Sequence, residues 1–453
     1  MSPTQGSQTF SATLALVRAV RGIKWSDVPE DAREVARQCL LDFLGCAIAG
    51  SREPLSNILL SEVAASEGSS EASLIGHKQR ASRMTAALLN GAAGHALDFD
   101  DTHMAMSGHP SVPVIPAVLA LAETTGADGR AILEAIVAGI EAECRLGVLL
   151  GGKHYSIGFH STGTIGTFGA AAACAHLLGL DEDEWLRAFG LAGTQAAGLK
   201  SGFGTMAKPL HAGRAASNGL FSAIAARGGY SSNRAILETE QGFAATHSGA
   251  EPKKEIFDRY AGQFLIRDNL FKYHASCYLT HAPINAARQI RDEHHVKPNK
   301  IDDVEVRVAP GLFGVCTITE PKTGLEGKFS VRATTAMALL GENTADLATF
   351  SDANLTSPAV VALRTKVRVT PVQNRSQTRA TVIVKSEGRV FEAESDSGVP
   401  AENLAAQREN LARKFIALAA PVLGDSGAQK LASAALDAER LTSAAELMKM
   451  TEA

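Results

Sequence analysis

Apolar and polar residues recur along this chain with two different periods. Through roughly the first 270 residues the period is helical. "RAILEAIVAGIEAECRLGVLL" sets Ile132, Ile136, Ile140 and Cys144 four residues apart, one face of a helix. "DAREVARQCLLDFLGCAIAG" repeats the pattern and stops at glycine, a common helix terminus. "TFGAAAACAHLLGL" and "RAASNGLFSAIAARG" are so rich in small residues that their helices must pack at close range. After about residue 270 the period shortens to two. "DDVEVRVAP", "TKVRVTP" and "QTRATVIVKSEGRVFEAES" predict strands, the last a hairpin turning at Gly388, with a helix at "VRATTAMALLGE". From "NLAAQRENLARKFIALAAPVL" onward the pattern is helical again. The expected fold is mainly α: a large all-helical domain over residues 1–270, residues 400–453 packing back on it, and a smaller α+β domain over 271–399.

Composition narrows the function classes. The 453 residues are 45% apolar and 20% charged, and 44 basic residues against 48 acidic ones leave a net charge of −4. With no clustered Lys and Arg to follow a phosphate backbone, a nucleic-acid partner is not expected. No window approaches the ~18 uninterrupted apolar residues of a spanning helix, so no membrane is expected. "MSPTQGSQTF" lacks a basic region followed by an apolar core, so the expectation is a soluble cytoplasmic protein. Six cysteines lie far apart with no CxxC pair, a pattern of small buried hydrophobes in a reducing compartment.

Against this plain background the stretch "HALDFDDTHMAMSGHPS", residues 95–111, stands between two apolar segments with three aspartates, three histidines and a threonine. If the preceding helix continued, Asp98, Asp101 and Thr102 would share one face. His109 precedes Pro110 and is pushed out of helix. A carbocation-forming acid is a poor fit, because its cavity needs aromatic walls and the chain has only 2 Trp and 5 Tyr. A metal site lacks an HExxH signature, and the remaining histidines are far apart. Three further segments add polar groups beside Gly, Ser and small-residue helices. "HYSIGFHSTGTIGTFGAA" brings His160 and Ser161, "SGFGTMAKPLHAGRAASNG" brings Lys208 and His211 just before a helix, and "NLFKYHASCYLTHAP" brings Lys272, His274 and His281. Together they describe a pocket of cations and neutral donors suited to a small molecule with two or three carboxylates.

In order and approximate spacing, "NGAAGHALDFDDTH", "HPS", "GFHSTGTIGTFGAAAA", "AKPLHAGRAASNG" and "KYHASCYLTH" resemble the MmgE/PrpD family over essentially the whole chain. Its activities include 2-methylcitrate dehydratase, cis-aconitate decarboxylase and iminodisuccinate epimerase. The resemblance implies a large helical domain with a smaller lid-like α+β domain, homodimers, and catalysis with no metal and no organic cofactor. It places active-site residues at Asp98, Thr102, His109, His160, Lys208 and Lys272. Two departures point within the family. "HPS" is followed by "VPVIP" where dehydratases carry Asp-Asn, and Ala333 stands where many members have a pocket tyrosine, with Arg332 beside it as a possible carboxylate clamp. The first points to the decarboxylase and epimerase side, and the second, by removing a phenol that a decarboxylase or dehydratase would use as proton donor, favours epimerisation of iminodisuccinate, with a lyase of the same family as the alternative and a non-catalytic polycarboxylate-binding protein as the reading from another class.

The expected chemistry is proton transfer next to a carboxylate. Lys208 and Lys272 would neutralise the developing dianion, and Thr102 and Ser161 would donate hydrogen bonds. His109 and His160 would carry the proton, and Asp98 would orient or tune them. His103, His211, His274 and Arg332 complete the expected substrate contacts.

Overall fold

A computed structural model gives the structure of residues 10–66 and 68–453. The reading of the N-terminal stretch as free of a leader therefore falls, for residues 1–9, outside the described residues. Small side chains set the geometry of the larger body. Its main helices are α1 (Glu30–Gly50), α2 (Arg83–His95), α3 (Ser111–Thr125), α4 (Gly129–Ile157), α5 (Ser161–Leu177) and α6 (Ala207–Arg227). Helix α6 packs on α2, α3 and α5, α3 also packs on α2 and α5, and every residue of α3 from Ser111 to Ala122 is buried. Such contacts leave no room for a methyl group at the crossings. A Cβ on Gly213 of α6 would lie 2.2 Å from the carbonyl oxygen of Leu88 on α2, and one on Gly219 would lie 2.5 Å from the Ala170 Cβ on α5.

The second body holds a four-stranded sheet of β1 (Ile301–Val308), β2 (Val367–Pro371), β3 (Arg379–Ser386) and β4 (Arg389–Asp396) in the order β2-β1-β3-β4. β1 and β2 run parallel and the other pairs antiparallel. The β3–β4 hairpin turns at Glu387 and Gly388, with φ of 50° and 73°, the positive pair that a tight two-residue hairpin demands. Helix α7 (His281–His294) packs on β3 and β4, and α8 (Val331–Leu340) packs beside it. The long C-terminal helix α9 (Leu404–Leu436), capped by the Asn403 side chain and kinked at Gly424, returns to lie along α1, where Phe415 packs on Gly45. No helix among the described residues is long and apolar enough to cross a membrane.

Two local expectations are corrected. Helix α2 stops at His95, and Asp98 takes a left-handed backbone (φ 50°), so Asp98, Asp101 and Thr102 do not share a helix face. The three carbonyls of that turn are claimed by lysines, as described below, instead of by a continuing helix. Helix α6 begins at Ala207, which puts Lys208 and His211 inside its first turns and not ahead of it. Pro209 is compatible with that start because first-turn N–H groups have no helical acceptor.

The close crossings make a measurable demand. Gly213→Ala should destabilise the protein by about 1–3 kcal/mol, the usual range for overpacking a filled core. A denaturant midpoint equal to wild type would contradict the tight α2–α6 contact.

Candidate active site

The site begins where α2 ends. Three buried ammonium groups donate to three successive carbonyl oxygens of the turn: Lys328 Nζ to Leu97 (2.5 Å), Lys272 Nζ to Asp98 (2.7 Å) and Lys414 Nζ to Phe99 (2.6 Å). Hydrogen bonds to charged groups contribute ~1.5–3 kcal/mol each, enough to offset the ~1–2 kcal/mol of a left-handed residue. Lys414 is neutralised by Asp42 (2.7 Å). Lys272 and Lys208 share the Asp98 carboxylate: both donate to Oδ1, Lys272 at 3.1 Å, and Oδ2 has no partner among the described residues. Burial alone would raise the Asp98 pKa, but the two lysines outweigh it and hold the carboxyl well below the ordinary carboxylate range. Burial also works against the Lys272 ammonium, and Asp98 and Asp100 reverse the effect and raise its pKa.

A second unit stands beside this one. Asp100, fully buried, accepts from His95 Nδ1 (2.9 Å) and lies 3.1 Å from His109 Nδ1. His109 Nδ1 is also 2.7 Å from the carbonyl oxygen of Asp101. Both neighbours of that nitrogen are acceptors, so Nδ1 carries the proton and Nε2 is left as a bare lone pair. The same reasoning protonates His95 on Nδ1 and leaves its buried Nε2 unpartnered. His160 caps the start of α5 with Nδ1 3.1 Å from His211 Nδ1, and its Nε2 likewise has no partner. Burial keeps these imidazoles neutral: His95 is pushed down to about 3, and His109 and His160 are also lowered, with Lys208 adding to each shift.

The Asp101 carboxyl serves the backbone. It takes the Ser111 amide (3.2 Å) and hydroxyl (2.5 Å) and the Asn269 amide (2.7 Å), fixing the start of α3 and with it His109. Burial and the nearby Asp42 push its pKa up to about 7.

These groups back a cleft between the two bodies, lined by Thr102, Ser107, His109, His160, Lys208 and Tyr278 among others, with Cys277 and Gln377 from the α+β side. Its free volume is about 60 Å³, room for roughly two waters. No Asp or Glu lines it. A larger hollow of about 850 Å³ beside Phe99, Leu418 and Arg413 lies outside the histidine cluster, and chemistry outweighs size in choosing between them.

The structure thus brings Asp98, Thr102, His109, His160, Ser161, Lys208, His211 and Lys272 together. Thr102 Oγ1 donates to the Gly108 carbonyl (2.9 Å) at the cleft wall, and the Ser161 hydroxyl is buried without a partner. Three expected contacts are not brought in. His103 spends both ring nitrogens on backbone, Nε2 on the Leu265 carbonyl (2.7 Å) and Nδ1 on the Ala105 amide (3.1 Å). His274 is held between Asn285 (2.9 Å) and Thr344 (2.8 Å), away from the cleft. Arg332 is half-buried on α8 outside the cleft lining, and Ala333 faces an apolar cluster with Leu97, Phe99 and Met337. The sequence reading missed His95, Asp100, Lys328 and Lys414. The signal for the last was a lysine within the apolar run "ARKFIALAA".

His95, Asp98, Asp100 and His109 offer four ligand atoms within 4.8 Å of one another, a spacing that suits a metal ion. Asp98 Oδ1 already takes two ammonium groups, however, and Asp100 takes imidazole N–H groups. A divalent ion would have to enter beside the two lysine charges that already neutralise Asp98.

Comparison with known proteins agrees with the geometry. Residues 14–256 match the MmgE/PrpD N-terminal domain and residues 274–440 the MmgE/PrpD C-terminal domain. A cis-aconitate decarboxylase of Aspergillus terreus is 29% identical over 459 aligned residues, covering 94% of this chain and 92% of its own. The human cis-aconitate decarboxylase is 27% identical, covering 91% and 89%. A cis-aconitate decarboxylase-like protein of Aspergillus oryzae is 34% identical over 53% of this chain and 52% of its own.

The neutral imidazoles have a thermodynamic signature. His95 is unprotonated when folded down to about pH 3 but titrates near 6.5 when unfolded, so the unfolded chain binds more protons between those values. Its contribution to stability is complete above pH 6.5 and declines as the pH falls toward 3. His95→Gln should flatten the slope of unfolding free energy against pH in that window by up to one proton. An unchanged slope would show that His95 does not titrate in this way.

Proposed function

The chain belongs to the MmgE/PrpD family, and within it we propose a cofactor-independent lyase that decarboxylates a small unsaturated tricarboxylate of the cis-aconitate type, working as a cytoplasmic homodimer. The observation that carries this reading is the cleft: lysine, imidazole, hydroxyl and amide groups line it, and no carboxylate does. The full-length likeness to curated cis-aconitate decarboxylases directs the choice of reaction. The expectation of an iminodisuccinate epimerase rested on Ala333 in place of a tyrosine, with Arg332 as an added clamp, and the Arg332 side chain does not line the cleft.

In such a substrate the carbon–carbon bond to one carboxylate breaks and carbon dioxide leaves without the electron pair. That pair becomes a new terminal double bond, and the old π pair moves to the carbon next to a remaining carboxylate, which takes up one proton. The developing negative charge sits where Lys208 can neutralise it, with Lys272 acting behind Asp98. The proton passes through His109. Its Nε2 stands 3.8 Å from Asp98 Oδ1, and a bound trianion raises the imidazole pKa as any close opposite charge does. Binding thus recruits the proton that the reaction consumes.

One observation favours a second reading. Two imidazoles that burial keeps neutral, His109 and His160, line the same cleft, and two bases suit epimerisation next to a carboxylate.

Proton NMR in deuterated buffer with chelator decides between the two. With cis-aconitate, new terminal-alkene signals and one deuterium per product are expected. Deuterium entering the α-position of iminodisuccinate instead would move the protein to the second reading, and silence with both would end both. His109→Gln should lower turnover by ~10²-fold or more, as for other general acid–base groups. A residual rate above a tenth of wild type would remove His109 from the role. A single-chain mass by light scattering would remove the dimer from the proposal.

A further inference from the structure

The loop after α2 holds three buried carboxylates, and each is committed to a different kind of donor. Asp98 takes the ammonium groups of Lys208 and Lys272, and Asp101 takes Ser111 and Asn269. Asp100 meets imidazole nitrogens. Both of its oxygens stand 2.9 Å from His95 Nδ1, and Oδ2 stands 3.1 Å from His109 Nδ1. His95 is the last residue of α2, so this carboxylate is tied to a helix end. The His95 ring also meets the His109 ring edge-on, with centroids 4.5 Å apart. Around His109 stand, in addition, Asp98 with Oδ1 3.8 Å from Nε2, and Lys208, Lys272 and His160.

We propose that Asp100, in place of Asp98, is the positioning residue of the reaction: held by His95, it keeps the His109 proton on Nδ1 and faces the imidazolium once Nε2 is protonated. The inference rests on the reading of His109 as the proton carrier. A carboxylate accepts from two N–H groups at once, so His95 and His109 can both present a protonated Nδ1 to it. Moving the His109 proton to Nε2 would set its Nδ1 lone pair against Asp100 and the Asp101 carbonyl, two acceptors with no proton between them. Nε2 is thereby the nitrogen that exchanges a proton with substrate. When it is protonated, burial, Lys272 and Lys208 oppose the new positive charge, and Asp100 favours it. Asp98 gives His109 less help, because the oxygen that faces it already takes both lysines. Burial works against an ionised Asp100, but the two imidazoles overcome it and hold its carboxyl well below the ordinary range.

Asp100→Asn keeps the shape of the side chain but offers one acceptor oxygen and one N–H2 donor. In the intact enzyme it should lower kcat by ~10-fold or more while KM stays within about threefold, the pattern of a lost partner to a working imidazole. The alkaline limb of kcat against pH should move to lower pH, because an imidazolium without its counter-ion gives up the proton sooner. An unchanged kcat, or a fall in kcat with that limb unmoved, would overturn the proposal. Nitrogen-15 NMR of the substrate-free protein reads the tautomers directly, the ring signals being assigned by their loss in His95→Gln and His109→Gln. Wild type should carry the proton on Nδ1 of both rings, and in Asp100→Asn one of the two should move it to Nε2. A wild-type His109 protonated on Nε2 would overturn the proposal, as would two unmoved protons in Asp100→Asn. The wild-type spectrum needs no folded Asp100 variant and no turnover. Failure of cis-aconitate to react would therefore count against the lyase, and the tautomer would still decide the role of Asp100.

Discussion

The carboxylate of Asp98 between Lys208 and Lys272 is the constraint from which the rest of the site follows. A lone ammonium buried as deeply as Lys272 would cost several kcal/mol, and so would a lone carboxylate. Brought together they neutralise each other, and the Asp100 carboxylate beside them balances the second ammonium. Burial keeps the neighbouring imidazoles neutral, and Lys208 adds to the effect. Charge, protonation state and backbone shape are therefore not separate properties here. All three depend on where buried ammonium groups are held.

The turn that carries Asp98 shows how the two bodies share the work. Lys272 follows the helical body, Lys328 comes from the α+β body, and Lys414 comes from the C-terminal helix, and each takes one carbonyl of residues 97–99. An active site at a domain boundary is usually built from facing walls. In this protein the second body also reaches through to fix the backbone of the first.

Much of this was legible in the sequence, for reasons that differ by element. The helix and strand periods of "RAILEAIVAGIEAECRLGVLL" and "QTRATVIVKSEGRVFEAES" reported burial directly, and the small residues of α5 and α6 announced their close crossings. The polar insertions marked Asp98, His109, His160, Lys208 and Lys272 because ionisable groups between apolar segments need a reason to be there. What could not be read was direction. His103 stands in the same insertion as Asp98, yet both of its ring nitrogens turn to backbone, and no spacing reveals that. Lys414 sits on an α9 face that becomes polar only because Asp42 and the Phe99 carbonyl arrive from over 300 residues away. Arg332 lay one position from a residue of interest, and on a helix one position is a turn of about 100°.

The separations along the chain have a consequence for how the protein comes into being. Lys272, Lys328 and Lys414 meet the Leu97–Phe99 turn across 174, 231 and 315 residues. A ribosome delivers these residues in order, so the turn emerges early and waits for its last ammonium while 315 further residues are made. The helices around it form from local pairings, whereas contacts of such long range close slowly. Until α9 docks, the aspartate-rich loop is a set of acidic groups with no lysine on Phe99. The geometry of this turn is thus acquired late in biosynthesis, when the C-terminal helix has been made and docks on α1.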